Sequence, residues 1–341
     1  MIVLCRVLSG LLLAAIACAP RAFAYGTNTN IFSPVGTPSR AIHNLALFVL
    51  AITAAIFVVV SFLIVYAAWR YRRRPGDDDS EPPQIFGSNQ IELSWTIIPV
   101  LIVVVLFLAT ARMIFAIQDA PMPKAALQVT VIGHQFWWEY RYPSLHITTA
   151  NELHIPVSDG QSPRPTYLKV TSADVIHEFW VPRLAGKTDL VPNRINEMWM
   201  DSHIPGLYVG QCGQYCGQQH AKMLLRVYVD TPQQFDAWVK QQQQPAAQSP
   251  EVAAGRRAFE SQACVNCHAI DGTSAHGQFG PDLTHLASRQ TIAAGAAPND
   301  PRHLENWIQD PDSIKPGSLM PAMHLEPDQV HAITSYLNTL R

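Results

Sequence analysis

The stretch CGQYCGQQHAKM, residues 212–223, decides how the rest of the chain is interpreted. Cys212 and Cys216 supply two thiolates, His220 an imidazole and Met223 a thioether, in the spacing C-x3-C-x3-H-x2-M. Soft sulfur ligands combined with imidazole favour copper. Because a thiolate can bridge two metal ions, two cysteines in one loop also allow a dinuclear centre.

Two further ligands are available to this loop. His177 lies at the end of an earlier predicted strand and offers a second imidazole. Gln214 stands between the cysteines, where its backbone carbonyl is placed for a remaining position. The alternatives are a zinc site and a surface disulfide. Zinc does not account for Met223, so the sequence favours copper.

The residues around this loop predict a β-domain. Short runs rich in β-branched and aromatic residues alternate with Pro, Gly and Asp. The predicted strands are Leu127–Tyr142, Glu152–Val157, Tyr167–Thr171, Glu197–Met200 and Met223–Val229. Several short strands without a strong helix between them indicate a β-sandwich or Greek-key barrel.

A second motif lies downstream, beyond a polar linker at residues 241–250. The tail, residues 251–341, is predicted to be a small α-domain with helices at 251–260 and 328–340, joined by loops. It contains Cys264-Val265-Asn266-Cys267-His268, and C-x-x-C-H is the attachment pattern of a c-type haem. A thioredoxin-like redox pair would need a βαβ context, and a zinc site would need a second Cys/His pair.

The haem iron needs one more ligand besides His268, and Met is a common choice in cytochromes of raised potential. Met320 and Met323 both follow at a suitable distance. Met320 lies in the stiff segment KPGSLMP, residues 315–321, and is the preferred axial ligand.

The N-terminal part of the chain predicts membrane segments. Uncharged apolar runs at residues 45–69 and 93–111 are each long enough to cross the hydrocarbon core. The basic cluster at 70–74 between them indicates a cytoplasmic loop, which puts both chain ends outside. Residues 1–24 resemble a cleaved secretory signal, and a lipidation site at Cys18 is a weaker alternative.

Composition excludes two broad classes. The 341 residues carry 24 Lys and Arg against 26 Asp and Glu, so nothing favours nucleic acid as a partner. Charged residues make up 15% and hydrophobic residues 48%, which excludes a mostly disordered chain.

Taken together, the chain resembles subunit II of haem–copper cytochrome c oxidases, in the caa-type version with a fused C-terminal cytochrome c. The segment QIELSWTIIP at 90–99 resembles the start of the family's second helix, and Gly133-His134-Gln135 its aromatic strand. Lys187-Thr188-Asp189 with Arg194 resembles the segment after the first copper histidine. The predicted layout is a signal at 1–24, a transmembrane hairpin within 25–117, a cupredoxin-like Greek-key domain at 118–240, the linker 241–250 and the cytochrome c domain 251–341.

The resemblance implies a dinuclear copper centre, CuA, bound by His177, Cys212, the Gln214 carbonyl, Cys216, His220 and Met223. It implies one covalent haem c on Cys264 and Cys267, with His268 and Met320 on the iron. It also implies that Glu92 assists proton uptake into subunit I, although acidic residues are ordinary at helix starts.

The sequence departs from the family pattern at two positions. Gln214 replaces a Glu whose carboxylate helps to bind magnesium, so the magnesium site is in doubt. Phe136 stands where the family has a Trp associated with electron uptake from cytochrome c. Trp137 and Trp138 follow and are candidates for this role, and the alternative is electron entry through the tethered haem.

The expected function is electron relay from a periplasmic donor, such as cytochrome c, through haem and copper to subunit I. Oxygen is reduced there with proton pumping, and the chain has no oxygen-reducing site of its own. The expected location is the bacterial inner membrane, with both redox domains on the periplasmic side and other oxidase subunits as partners. The alternatives are a quinol oxidase subunit, an electron-accepting subunit of a nitric oxide reductase, a copper chaperone and a membrane-anchored electron carrier.

Overall fold

The computed structural model describes residues 29–76, 81, 84, 87–118, 126–158 and 164–341. The predicted signal segment and Cys18 lie outside these residues.

Two long apolar helices form the N-terminal part of the described chain. Helix α1 spans Thr37–Arg70 and helix α2 spans Asn89–Gln118, and the two are in contact. Both are hydrophobic enough to cross a membrane, and no residue of their most apolar windows is buried in the isolated chain. A helix that is apolar on all sides and uncovered by protein is typical of a membrane span. The predicted spans therefore lie within helices, each of which extends further at both ends.

Both helices are bound to the β-domain at the same end of the hairpin. At the start of α1, the backbone N and Oγ1 of Thr37 each donate to the carboxylate of Asp201 at 2.6 Å. Near the end of α2, the carbonyl of Ile117 accepts a hydrogen bond of 2.8 Å from Trp199 Nε1. Since Thr37 begins one helix and Ile117 ends the other, these bonds hold the β-domain at the end opposite Arg70.

The β-domain is a sandwich of two five-stranded sheets, as predicted. One sheet has the order β3-β2-β1-β5-β8 and the other β4-β10-β9-β6-β7. The strands are β1 Leu127–His134, β2 Trp137–Tyr142, β3 Ile147–Ala150, β4 Glu152–Pro156, β5 Thr166–Ser172, β6 His177–Trp180, β7 Thr188–Leu190, β8 Asn196–Met200, β9 Gly206–Cys212 and β10 Leu224–Asp230.

The core of the sandwich follows from alternation along the strands. In β10, Leu225, Val227 and Val229 are buried, while the residues between them are only half-buried. In β1, Val129 and Val131 are buried in the same way. Successive side chains of a strand point to opposite faces, so alternation places one apolar row between the sheets.

The run Leu127–Tyr142 forms a hairpin of two strands, where the sequence predicts one. β1 pairs antiparallel with β2 from Thr130–Arg141 to His134–Trp137, which leaves Gln135 and Phe136 as the turn. Neither residue is typical of a tight turn. The backbone N of Gln135 instead donates to Asp174 at 2.6 Å, so a distant loop supports the turn.

The C-terminal part of the described chain, residues 250–341, is a helical domain with its own core, as predicted. Leu304, Ile308, Ile333 and Leu337 are among its buried apolar residues. Its helices are α4 Ala253–Ser261, α5 Cys264–Cys267, α6 Pro301–Gln309, α7 Pro311–Ile314 and α8 Pro327–Leu337. Helix α3, Pro232–Gln242, precedes the domain and extends into the predicted linker.

Helix α6 lies in a segment where the sequence analysis expects only loops. It starts at Pro301, and the side chain of Asp300 caps it by accepting a hydrogen bond from His303 N. An acidic cap followed by Pro at the first helical position is a recognisable helix start. The signal was therefore present in the sequence.

Candidate metal centres

The two cysteines of the decisive loop converge at the end of the sandwich. Cys212 ends β9, and its backbone N donates to the carbonyl of Met223, just before β10. This bond closes the loop so that Cys216 returns to Cys212, with their sulfur atoms 3.9 Å apart. Both cysteines are buried, and neither forms a disulfide. A surface disulfide is therefore not what the structure contains.

Three more predicted ligands surround this sulfur pair. His177 Nδ1 lies 3.9 Å from Cys212 Sγ, and His220 Nδ1 lies 3.7 Å from Cys216 Sγ. Met223 Sδ lies 3.9 Å from Cys216 Sγ on the buried side. The structure thus brings together residues that are up to 46 positions apart in sequence.

His177 reaches the site from a neighbouring strand. It begins β6, which pairs with β9 next to Cys212. The sequence predicts His177 at the end of a strand. This prediction is wrong, because His177 is the first residue of β6. A Cβ added at Gly133 would lie 2.8 Å from His177 Cδ2, so only glycine leaves the ring its space.

Gln214 faces the site with its backbone, as predicted. Its carbonyl oxygen lies 3.1 Å from Cys212 Sγ, whereas the residue itself is exposed. The loop therefore offers a carbonyl oxygen whatever side chain occupies position 214.

Of the two cysteines, Cys212 favours its metal-binding form, whereas the hydrogen bond to Cys212 raises the pKa of Cys216. A hydrogen bond from Cys216, together with one from His177, holds the pKa of Cys212 well below its usual range. Burial lowers the pKa of His177, but hydrogen bonds to Asp174 and Cys212 outweigh it and raise the net value. Metals bind thiolates and neutral imidazoles, so Cys212 already favours the form that copper requires.

Asp174 is a functional residue that the sequence analysis missed. Its Oδ1 lies 2.8 Å from His177 Nε2, which leaves His177 Nδ1 directed at the cysteines. Carboxylates that orient metal-binding histidines are common in such sites. Its position three residues before His177 is the only signal for it in the sequence.

A cavity in the helical domain contains the C-x-x-C-H motif. Cys264, Cys267 and His268 line it, together with Met320 and Met323. His268 Nδ1 lies 2.8 Å from the carbonyl of Pro281, which assigns the proton to Nδ1 and leaves Nε2 free for a metal. Burial lowers the pKa of His268, so the neutral ligand form is favoured.

One buried cation tests whether this cavity fits a haem. Arg289 lines the cavity and is buried, with one guanidinium nitrogen donating to Asp282 O at 2.6 Å. Among the described residues, no hydrogen-bond acceptor is found for its Nε. A haem carries propionate groups, and a carboxylate is the partner that a buried guanidinium lacks. With apolar walls and C-x-x-C-H at one end, the cavity fits the group.

Both candidate axial methionines lie at the cavity. Met320 and Met323 line it, and both are half-buried. Ser318 Oγ accepts a hydrogen bond of 3.3 Å from Met320 N, which fixes the loop around Met320. The preference for Met320 stays a prediction.

The predicted electron-transfer aromatics occupy different environments. Trp137 stacks on His134 with ring centroids 4.1 Å apart, and it lines the cavity of the helical domain. Trp138 is completely buried in the sandwich, 6.0 Å from the ring of His177. Of the two, only Trp137 reaches the cavity.

Glu92 lies in the first turn of α2, as the sequence indicates. It is exposed in the isolated chain. Its role in proton uptake stays a prediction.

Comparisons with known proteins identify the same three parts. Residues 28–113 match the family "Cytochrome C oxidase subunit II, transmembrane domain", residues 150–229 match "Cytochrome C oxidase subunit II, periplasmic domain", and residues 252–341 match "Cytochrome c".

Relatives extend over most of the chain. Cytochrome c oxidase subunit 2 of Alkalihalophilus pseudofirmus is 33% identical over 321 residues, covering 92% of this chain and 91% of that protein. Cytochrome c oxidase subunit 2 of Bacillus sp. (strain PS3) is 32% identical and covers 80% of each chain. The crystal structure of the periplasmic domain of subunit II of cytochrome oxidase from Bradyrhizobium japonicum is 31% identical, covers 36% of this chain and 96% of that chain, and has a TM-score of 0.33.

Proposed function

The chain belongs to the cytochrome c oxidase subunit II family, and from this premise we propose how its residues hold the redox groups that the family uses. As subunit II it serves electron transfer in an oxidoreductase complex and associates with subunit I and other oxidase subunits. It contains a copper domain and a cytochrome c domain. The residue assignments, the number of copper ions and the electron donor are the proposed parts.

We propose a dinuclear copper centre that Cys212 and Cys216 would hold with their two thiolates. The remaining ligands are the side chains of His177, His220 and Met223 and the carbonyl of Gln214. The convergence of these donor atoms around two sulfurs 3.9 Å apart carries the proposal. One imidazole lies near each sulfur, so each of two metal ions would have its own nitrogen ligand.

We propose further that Cys264 and Cys267 attach one haem c, with His268 and Met320 as iron ligands. Pro281 O orients His268 by accepting a hydrogen bond from Nδ1–H, and Arg289, whose Nε has no hydrogen-bond partner among the described residues, would pair with a haem propionate in the cavity. When bound, copper and haem supply reversible one-electron oxidation and reduction. The chain's own residues fix the geometry of the ligands, exclude water with apolar walls, and favour the thiolate of Cys212 and the neutral imidazole of His268.

The location and the partners follow from the helix hairpin. Arg70–Arg74 lie at the end of α1 that is remote from the sandwich. By the positive-inside rule, that end lies in the cytoplasm and both redox domains lie on the periplasmic side of the bacterial inner membrane. Cytochrome c or another periplasmic protein would then be the donor, and we propose Trp137, which lines the cavity, as the electron-transfer aromatic.

The experiment is electron paramagnetic resonance on the purified full chain, with copper and iron counted per protein. A mixed-valence signal shared by two copper ions and one low-spin haem is the expected result. A signal from a single copper, or zinc in place of copper, would overturn the dinuclear assignment. A missing covalent haem would overturn the C-x-x-C-H assignment independently.

The relatives described above are named as cytochrome c oxidase subunits, so a nitric oxide reductase subunit or a free membrane electron carrier is not favoured.

A further inference from the structure

The cavity of the helical domain is closed on one side by the sandwich. Gln135, Phe136, Trp137 and Asn151 of the sandwich line it together with residues of the helical domain. Trp137 also packs with Ala294 of the helical domain in a small buried cluster. The two domains therefore share one wall of the cavity, and specific contacts between them must hold this arrangement.

Lys315 is a deeply buried charged residue that bridges the two domains at this wall. It is 3% exposed, and its Nζ donates to Phe136 O at 2.7 Å and to Ala293 O at 3.2 Å. Phe136 belongs to the sandwich and Ala293 to the helical domain, so one ammonium binds both. Among the described residues, no carboxylate forms an ion pair with it.

Such an arrangement is costly. Burial lowers the pKa of Lys315 to about 7, because an ammonium loses its hydration inside a protein. An apolar side chain of the same length would fill the space without this cost. The presence of a charged side chain at this buried position is therefore explained by the role of the two carbonyl groups that it binds, those of Phe136 and Ala293.

The Phe136 carbonyl belongs to a segment that is fixed to both sides of the metal site. Gln135 Nε2 donates to Cys216 O at 2.7 Å, and Gln135 N donates to Asp174 at 2.6 Å. Asp174 in turn contacts His177. A residue that binds the Gln135–Phe136 segment is therefore positioned relative to Cys216 and His177, two of the proposed copper ligands.

We propose that Lys315 is a positioning residue that holds the helical domain, and the cavity it carries, against the Gln135–Phe136 segment of the sandwich. The inference rests on the proposed function, because its purpose is a fixed separation between the haem cavity and the copper loop. Electron tunnelling falls steeply with distance, so a loosely held domain would transfer electrons slowly on average.

A second anchor lies elsewhere on the same interface. The buried carboxylate of Glu152 in the sandwich accepts hydrogen bonds from the backbone N of Gln290 and Thr291, at 3.1 and 3.0 Å. Thr291 Oγ1 adds a third bond at 2.8 Å. The two backbone amides report whether the domains are in contact, since separation would expose them to water.

The test is hydrogen exchange on the purified full chain with its cofactors, comparing wild type with Lys315→Met. The amides of Gln290 and Thr291 are expected to exchange roughly tenfold faster in the variant, since a hydrogen bond to a charged group is lost. The amides of α8 inside the helical domain should be unchanged. Lys169→Met is the control, because Lys169 is an exposed lysine on β5, outside the copper loop and the cavity.

The haem-to-copper electron-transfer rate within the same variant supplies a second readout. One electron leaves ferrous haem and reduces the copper centre, so no other reactant is involved. A rate reduced roughly tenfold or more in Lys315→Met, and unchanged in Lys169→Met, is expected. If Lys315→Met does not accumulate, Lys315→Gln removes the charge but keeps a donor for the same measurements.

Two outcomes overturn the proposal. Unchanged exchange at Gln290 and Thr291 would show that Lys315 does not hold the interface. Faster exchange in α8 as well would show that it only stabilises the helical domain. Copper and haem content of the wild type, measured in parallel, reveals a failure of the proposed function separately, because the exchange comparison does not depend on it.

Discussion

The carboxylate of Asp174 lies 2.8 Å from Nε2 of His177, on the side of the ring that faces away from the copper loop. An Nε2–H that donates to this carboxylate leaves Nδ1 with a lone pair toward Cys212. Asp174 also accepts from Gln135 N, so it links the ligand to the hairpin turn.

Replacement of this carboxylate should weaken metal binding. Asp174→Asn is expected to lower copper affinity about 10- to 100-fold, because the amide orients the ring less strongly and removes a negative charge. Competition with a copper chelator measures the change. Asp230→Asn is the control, since Asp230 holds His154 Nδ1 at 2.7 Å in an equivalent pair away from the loop. Equal affinities for wild type and Asp174→Asn would contradict this role.

Substitutions in the copper loop should distinguish a ligand supplied by the backbone from a ligand supplied by a side chain. Gln214→Ala is expected to keep both copper ions, because only its carbonyl faces Cys212. Cys216→Ser should lose the shared signal and at least one copper, since a hydroxyl would replace one of the two thiolates proposed to bind copper. Metal counts and electron paramagnetic resonance distinguish the two variants. Loss of copper in Gln214→Ala would mean that its side chain is required.

The two cavity methionines should respond differently to substitution. Met320→Leu is expected to convert the haem from low spin to high spin, because leucine offers no sulfur ligand. Met323→Leu, a change of the same size at a second position on the cavity wall, should stay low spin. Optical and paramagnetic resonance spectra read the spin state. The reverse pattern would assign Met323 as the ligand.

Acid should destabilise the sandwich through Glu139. Burial raises the pKa of Glu139, but hydrogen bonds to His134 and Arg141 outweigh it and lower the net value. The carboxylate therefore stabilises the fold above its ordinary pKa of about 4.3, and this contribution is lost as pH falls through the lowered value.

Glu139→Gln should accordingly reduce the loss of stability on acidification. Urea midpoints of the full chain, measured at neutral pH and at about pH 3, should differ less in this variant than in wild type. Glu197→Gln, an exposed carboxylate on β8, serves as the control and should behave as wild type. An identical acid response of Glu139→Gln and wild type would show that the ion pairs of Glu139 do not stabilise the folded state.

Local motifs made much of the candidate site predictable. The spacings around Cys212 and Cys264 indicate copper and haem because neighbouring ligands sit on one loop or one helical turn. The strand alternation that predicts β5 and β10 reflects a period of two and needs no knowledge of the fold. Contacts between segments that are distant in the sequence could not be predicted in this way.

The hairpin turn at Gln135 and Phe136 shows why. Neither residue is of a type that favours tight turns. The turn is supported by a hydrogen bond that Gln135 N donates to Asp174, 39 positions away. The contact of Lys315 with Phe136 spans 179 positions. No period or spacing encodes such pairings, because they depend on how two separately folded domains meet.

The bonds from Thr37 to Asp201 and from Trp199 to Ile117 have a mechanical consequence. Helix α1 has 34 residues and is about 50 Å long, whereas the hydrocarbon core measures about 30 Å. Helix α1 is thus longer than the hydrocarbon core is thick, and hydrogen bonds attach both helices of the hairpin to the sandwich. We therefore expect the hairpin to hold the copper loop at a set height above the bilayer.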